Sequence, residues 1–297
     1  MADEKTANPP TFNLTAFNYC VLFIDLLGQR AAFRDQGWLP PHETEEQKKA
    51  FRAKLDQTIR RVLTAHYAAK VILEAVHNID PQGLTRQELN PEERPIWDEM
   101  TKNRIRKQHW SDGIASYVNL GDSEIKCHMH GIFGLFGVAG VECFMGLVHG
   151  QPLRGAMDGG WGVEITPGEL YGPAVAHAYE LESEVARYPR IVVGERVAEL
   201  IRVHIENTER SVFAAYNRAL ATRCANMLIR DSDGVLIVHY LGDTFREAFT
   251  KGKHEDMYRS ALKFAKDELA RFQATNDAKL APRYANLVAY LTRFAPA

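Results

Sequence analysis

Two aspartates in this 297-residue chain have the surroundings expected of a pair of metal-binding carboxylates. Asp25 ends the apolar run VLFIDLLG, and Asp112 lies at the bend of HWSDGIASYV. An apolar run that ends in Asp is typical of a buried strand whose carboxyl end borders a ligand crevice. The second segment predicts a β-hairpin with Asp-Gly at its turn. If the two strands are neighbours, the carboxylates meet and repel, and a hard cation such as Mg²⁺ or Mn²⁺ relieves the repulsion.

The composition is that of an ordinary soluble globular protein, with 45% apolar and 25% charged residues. A net charge of −2 gives no global basic surface, so we expect no nucleic-acid partner. The cysteines form no CxxC pair and indicate reduced thiols of a cytosolic protein. They are Cys20, Cys127, Cys143 and Cys224.

Residues 1–16 are polar and lack the apolar core of a signal peptide, so we expect a flexible leader before one domain at 17–297. Residues 131–148 approach the length of a membrane span but contain Glu142 and five glycines. A buried helix is the favoured interpretation, with no membrane partner and a cytoplasmic location. The glycines that recur every third residue from 131 to 140 would let another helix approach closely.

Hydrophobic periodicity predicts the elements that position these residues. We predict strands at residues 17–25 and 190–193, hairpins at 105–120 and 227–240, and helices at 26–34, 43–77, 131–148, 173–187 and 254–294. Residues 152–165 predict a strand, a Gly-Gly turn and a second strand, and residues 80–97 predict an exposed loop. Helices interspersed with hairpins predict an α+β fold, with a mainly antiparallel sheet and helices packed on one side of it.

Four motifs occur in a fixed order: FIDLLG, WSDG, PLRGAMDGG and ELYGPAVAHAYELE. Together they resemble the catalytic core of class III nucleotide cyclases over roughly residues 17–193, with a long insertion at about 36–102. The further segment GPAVAHAYELESEVARYPRIVVG looks most like the Pycsar cyclases, the bacterial branch that makes pyrimidine cyclic nucleotides in anti-phage defence. The resemblance implies a ferredoxin-like βαββαβ unit inside one catalytic domain with a helical C-terminal part.

The resemblance also implies roles for the residues of the first two motifs. Asp25 and Asp112 would be side-chain ligands of two Mn²⁺ or Mg²⁺ ions, and the carbonyl of Leu26 would be a backbone ligand. The amides from Leu27 to Arg30, including that of Gly28, would face the substrate phosphates at a helix N-terminus. In such a site the ribose 3′-hydroxyl attacks the α-phosphate, and two metal ions stabilise the attacking and leaving oxygens.

The chain departs from the family pattern at the residues that stabilise the transition state. Class III cyclases place Asn and Arg four residues apart on a helix, where this chain has Ala176 and Glu180. Three arginines are alternatives for the missing one: Arg154, Arg187 and Arg190. Arg154 ranks first because its predicted strand lies beside the expected crevice.

The positions that read the base in the family also differ. The usual adenine-reading Lys corresponds to Gln108 here, and its acidic partner corresponds to Glu169. Gln carries both a donor and an acceptor, which suits the edge of uracil or cytosine. Trp110 would narrow the pocket toward a pyrimidine, and Phe23 shares a sheet face with Asp25 and would wall the ribose or base.

These features predict a metal-dependent cyclase that converts UTP, or secondly CTP, to its 3′,5′-cyclic monophosphate and pyrophosphate. The resemblance implies a homodimer with self-complementary surfaces and a separate effector protein that binds the cyclic nucleotide. Two alternatives stay open. One is an adenylate or guanylate cyclase with a remodelled site, and the other is a catalytically silent nucleotide-binding sensor.

Overall fold

The computed structural model describes residues 14–28, 37–77, 86–87, 89–100, 102, 104–110, 112–121, 125–249 and 254–296. The strands within these residues are β1 (Ala16–Leu26), β2 (Arg106–Trp110), β3 (Gly113–Asn119), β4 (Leu153–Thr166), β5 (Glu169–Tyr171), β6 (Ile191–Val193), β7 (Leu228–Arg230) and β8 (Leu236–Val238). The helices are α1 (Glu45–His77), α2 (Arg94–Met100), α3 (His128–Val148), α4 (Pro173–Glu180), α5 (Glu195–Glu206), α6 (Val212–Asn226), α7 (Asp243–Phe249), α8 (His254–Ala274) and α9 (Leu280–Arg293). A π-helical turn, Leu181–Val185, continues α4.

The strands form one mixed sheet in the order β2-β3-β1-β4-β6-β8-β7, and β5 pairs with β4. Every pair is antiparallel except β4 with β6, so the predicted α+β class with a mainly antiparallel sheet is confirmed. Helices cover both faces, which corrects the prediction of a single covered side. The reason lies in β1, whose side chains are buried on both faces and therefore need a layer on each side.

The larger layer is built around α3, which packs on the face that carries Leu22 and Ile24 of β1. This helix is long and apolar enough to cross a membrane, but 83% of its most apolar window is buried, consistent with the core helix of a soluble protein. Its glycines allow the predicted close approach, because a Cβ on Gly137 or Gly140 would collide with an aromatic ring of α7. Helix α1 packs alongside α3.

The second layer is α4, which covers Val21 and Phe23 on the opposite face. The predicted Gly-Gly turn is wrong, since β4 runs unbroken through Gly159 and Gly160. A Cβ on Gly160 would lie 3.0 Å from the amide nitrogen of Ala174 in α4. Gly160 therefore provides room for the approaching helix, and the glycine pair does not reverse the chain.

Other predictions are changed or lie outside the described residues. The predicted loop at 80–97 is partly wrong, because Arg94–Met100 is a helix that buries Ile96 and Met100. Residues 78–85 and most of the predicted leader lie outside the described residues. So does the larger part of the predicted helix at 26–34, of which Leu27 and Gly28 form a turn.

Candidate functional site

The pairing of β1 with β3 brings the two predicted metal-binding aspartates to one place. Asp25 lies opposite Gly113 in the antiparallel register, next to Asp112. The Leu26 amide donates a hydrogen bond to the Asp112 carbonyl, 3.3 Å away, which fixes the turn against the end of β1. Both aspartates line one pocket of about 450 Å³. This volume is within the range of small-molecule sites.

Arg154 enters the same pocket from the other neighbouring strand. It is the register partner of Asp25 across the β1–β4 ladder, and its Nη2 lies 3.8 Å from Asp25 Oδ2. Its Nε forms an ion pair with the carboxylate of Glu182, whose side chain is 2% exposed. The guanidinium therefore connects two carboxylates, one on the sheet and one on the π-helical turn.

Glu182 is a site residue that sequence reasoning missed. It is one of three glutamates in the run ELESEV, and nothing in the run distinguishes it from Glu180 or Glu184. Only the widened π turn directs this residue inward while its two neighbours remain exposed. Such turns often occur at functional sites, so the π-helical turn points to Glu182 where the sequence alone does not.

An aromatic wall closes one side of the pocket. The Phe23 ring meets the Trp110 ring edge to face at 6.0 Å between centroids, and it meets the Tyr179 ring in the same way at 5.4 Å. Phe23 is buried, whereas the other two rings are exposed at the rim. The sequence predicted Phe23 and Trp110 here and missed Tyr179, whose helix position gave no chemical signal.

The two predicted base-reading residues are close together but do not reach this pocket. Gln108 Oε1 accepts a hydrogen bond from the Leu170 amide, 3.2 Å away, and so ties β2 to β5. Glu169 precedes that amide and is exposed. Neither is among the described residues that line the pocket.

The turn after β1 faces a second cavity of about 550 Å³. Leu27 and Gly28 line it, and Gly28 has a φ of 91°. The Leu27 amide donates to the Pro152 carbonyl at 3.0 Å, which corrects the expectation that this amide faces a phosphate. The carbonyl of Pro152, the residue before β4, already accepts the hydrogen of that amide.

The alternative arginines separate clearly. Arg190 is 1% exposed and binds Asp231 at 2.9 Å and Asp233 at 2.8 Å, so it holds the β7–β8 hairpin and does not line the pocket. Its hydrogen bonds lower the pKa of Asp233. Arg187 lines the second cavity.

The C-terminal helices contribute two cations that the sequence analysis did not place in any site. Lys279 and Arg283, at the start of α9, line the aspartate pocket, and Arg283 also lines the second cavity. Burial lowers the pKa of Arg283, and the positive charges of Arg154 and Arg187 lower it further. The two cavities therefore share the guanidinium of Arg283, which lies near the positive charges of Arg154 and Arg187.

Comparison with known proteins gives no relative: no protein-family model, no curated protein and no solved structure matches this chain.

The resemblance implies divalent metal ions beside Asp25 and Asp112. Within the described part of the chain, no group of three or more His, Cys, Asp or Glu side chains is placed to hold a metal ion. Mg²⁺, however, is often held by one or two carboxylates together with waters and substrate phosphates. Two aspartates in one pocket fit that mode of binding, in which the substrate completes the ligand set.

Proposed function

We propose that this protein is a metal-dependent nucleotide cyclase of the class III type, which converts UTP or CTP to the 3′,5′-cyclic monophosphate and pyrophosphate. The observation that carries the proposal is the meeting of Asp25 and Asp112 in one pocket, at the ends of paired strands. Their separation by 87 positions along the chain makes this juxtaposition a product of the fold.

The order of the elements supports the proposal. The strand order β2-β3-β1-β4, with α1 following β1 and α3 following β3, is that of a ferredoxin-like βαββαβ unit. The resemblance implies the same unit for class III cyclases. Beyond β4 the sheet continues with β6, β8 and β7, and α6 and α8 pack on α3.

The chain's own residues have distinct parts in the proposed reaction. A bond forms between the ribose 3′ oxygen and the α-phosphorus, the bond from that phosphorus to the β-phosphate oxygen breaks, and the hydroxyl proton leaves to solvent. Asp25 and Asp112, with the Leu26 carbonyl, would hold the divalent cations, which when bound lower the hydroxyl pKa and stabilise the leaving oxygen. Arg154 and Glu182 hold Asp25 in position through their ion pairs.

The aromatic wall is the proposed base site. Phe23, Trp110 and Tyr179 present ring edges and faces beside the carboxylates, and rings of this kind stack on nucleobases. Stacking accepts any base, so the preference for a pyrimidine rests on the width of the pocket. Gln108 is engaged with β5, which leaves Trp110 as the stronger determinant of width.

A second candidate function is a nucleotide-binding sensor without turnover. Arg154 lies against Asp25 and contributes positive charge where a cation would bind. The Asn and Arg of the family pattern are replaced by Ala176 and Glu180. A site of this kind would bind a triphosphate and leave it intact.

The surroundings of the enzyme are also proposed. A homodimer is supported by exposed apolar side chains on the β4–β5 hairpin, namely Trp161, Ile165 and Tyr171. The cyclic product would act on a separate cyclic-nucleotide-binding effector in antiviral defence, in the cytoplasm, with neither nucleic acid nor a membrane as partner.

The deciding experiment incubates the purified protein with each of the four ribonucleoside triphosphates and Mn²⁺ and identifies products by mass. Asp25→Asn and Asp112→Asn remove the metal carboxylates with little change of shape. Asp267→Asn, on the exposed surface of α8, is the matched control.

We expect cyclic UMP or cyclic CMP from the parent and from the control, and none from the two site variants. Cyclic AMP or GMP would retain the reaction and overturn the pyrimidine preference. Tight binding of a triphosphate with no cyclic product from any of the four would favour the sensor. Equal activity in Asp25→Asn would remove the proposed metal site.

A further inference from the structure

Basic side chains gather where the aspartate pocket meets the second cavity. Arg283 lines both cavities, Lys279 lines the first and Arg187 lines the second. Two of these residues come from the start of α9, and Arg187 follows the π-helical turn. Elements more than 90 residues apart in sequence thus bring three positive charges to one junction.

Neighbouring cations already have counter-charges, which makes this group different. Arg154 is paired with Asp25 and Glu182, and Arg271, in the wall of the second cavity, is held by Glu268 at 3.0 Å.

In the part of the chain that the structure describes, Arg283, Lys279 and Arg187 form no ion pair with a carboxylate. The described carboxylate that acts on Arg283 is Asp277. Its Oδ1 accepts hydrogen bonds from the backbone amides of Lys279 and Leu280, at 2.9 and 2.8 Å.

Arg283 is partly buried at this junction, whereas Lys279 and Arg187 are exposed, and gathering three like charges there is unfavourable in the free protein. Arg154 and Arg187 repel Arg283 and, together with burial, lower its pKa. An anion bound between them would convert that repulsion into attraction, and a guanidinium can bind phosphate with two parallel hydrogen bonds. The α9 amides bonded to Asp277 are occupied, so recognition falls to the side chains.

We propose that α9 supplies a polyphosphate subsite, in which Arg283, with Lys279 and Arg187, binds the β- and γ-phosphates of the nucleotide. The subsite deepens the proposed function and rests on it for the identity of the ligand. The nucleoside and α-phosphate lie beside Asp25 and the aromatic wall, and the chain of phosphates passes Arg283 into the second cavity. The leaving pyrophosphate is then held by cations of the same protomer.

This assignment gives the C-terminal helices a role that the family pattern does not provide. Helix α4 lacks the usual Arg, having Glu180 at that position. Arg154 is engaged with two carboxylates, so its charge is already balanced. Arg283 and Lys279 reach the same pocket and, within the described residues, form no ion pair with a carboxylate.

The test measures binding of inorganic tripolyphosphate, UTP and UMP by calorimetry, with no divalent cation present. The proteins are the parent, Arg283→Ala, Arg283→Lys, Lys279→Ala and the control Arg293→Ala, which alters an exposed Arg in the last turn of the same helix. Charge-assisted hydrogen bonds of this kind correspond to a loss of roughly 10- to 150-fold in affinity.

We expect Arg283→Ala to lower the affinity for tripolyphosphate and for UTP by at least about tenfold. Its affinity for UMP should change by less than about threefold. Lys279→Ala should show a smaller loss, and Arg283→Lys should retain part of the binding because it keeps the charge and loses the fork. Arg293→Ala should match the parent. Equal weakening of UMP and UTP, or tripolyphosphate binding unaffected by Arg283→Ala, would overturn the subsite.

A thermal-unfolding series separates a binding defect from a folding defect. Without ligand, Arg283→Ala should unfold at or above the parent midpoint, because it removes repulsion, and tripolyphosphate should raise only the parent midpoint. A lower midpoint without ligand would assign Arg283 a structural role. A parent that binds tripolyphosphate through Arg283 but yields no cyclic nucleotide would refute the cyclase and leave the subsite standing. If the parent forms a cyclic nucleotide while Arg283→Ala binds tripolyphosphate as tightly as the parent, the cyclase stands and the subsite is refuted.

Discussion

Glu142 offers the clearest quantitative test of the fold beneath the site. It lies in α3, the helix packed under β1 and β3, and its side chain is 2% exposed. Its Oε1 makes no hydrogen bond to any group in the described residues. Burial raises the pKa of this carboxyl from 4.5 to about 8, although the positive charge of Lys107 opposes part of the rise. The group is therefore neutral in the folded protein at pH values where the unfolded chain ionises it.

The sign and size of the effect follow from these values. A raised carboxyl pKa means that the folded state binds more protons than the unfolded state, so stability falls as the pH rises from 4.5 to about 8. At 1.36 kcal/mol per pH unit, Glu142 alone should remove roughly 3 to 4 kcal/mol of unfolding free energy between about pH 5 and about pH 8. In Glu142→Gln the amide never ionises, so this loss should disappear.

Urea unfolding of the parent and Glu142→Gln at several pH values measures the difference directly. Glu184→Gln, an exposed glutamate of the π-helical turn, is the matched control and should follow the parent. We expect Glu142→Gln to gain on the parent steadily as the pH rises. A constant difference across this range would mean that the carboxyl is hydrated or paired, and the reasoning would fail.

Three further substitutions test other parts of the structure. Gly172→Ala should reduce the unfolding free energy by about 2–3 kcal/mol in urea, because φ is 136° and the new Cβ would lie 2.9 Å from the Cα of Gly162. Arg190→Met should reduce the unfolding free energy by about 3–5 kcal/mol in the same assay, since Asp231 loses its buried partner. An unchanged midpoint would mean that Arg190 does not hold the β7–β8 hairpin. Trp110→Ala should reduce the preference for UTP over ATP by about tenfold in kcat/KM, and an unchanged ratio would remove this ring from base recognition.

Most of the secondary structure could be predicted because the pattern of apolar residues matches the period of each element. The strand at 17–25, the hairpin at 105–120 and the helix at 131–148 correspond to β1, to β2 and β3, and to α3. The prediction failed at Gly159 and Gly160, which lie within an unbroken strand, and Gly160 permits close packing of α4. A sequence does not distinguish these uses of glycine, since the second depends on which element lies opposite.

The candidate site divides in the same way. Asp25, Asp112 and Arg154 stand in recognisable local patterns, and strand pairing brings all three into one pocket. Glu182 and Arg283 have no such pattern, because one depends on a π turn and the other on a helix that folds back from the C-terminal region. Contacts between distant segments decide their positions, and periodicity carries no information about those contacts.

The charges that line the aspartate pocket constrain what it can bind. Three carboxylates, those of Asp25, Asp112 and Glu182, face three cations, those of Arg154, Lys279 and Arg283. A pocket balanced in this way favours a ligand with little net charge. A nucleoside triphosphate carries about four negative charges, and two divalent cations neutralise about that number.

Metal and nucleotide should therefore bind cooperatively. A triphosphate alone would face the three carboxylates, and a metal ion alone would face the three cations. Titrating Mn²⁺ with and without a non-cyclisable UTP analogue measures the coupling, which we expect to be at least about fivefold in each direction because linkage is reciprocal. Independent binding would mean that the aspartates and the α9 cations do not contact one shared ligand, and the cyclase and its polyphosphate subsite would then have to be argued separately.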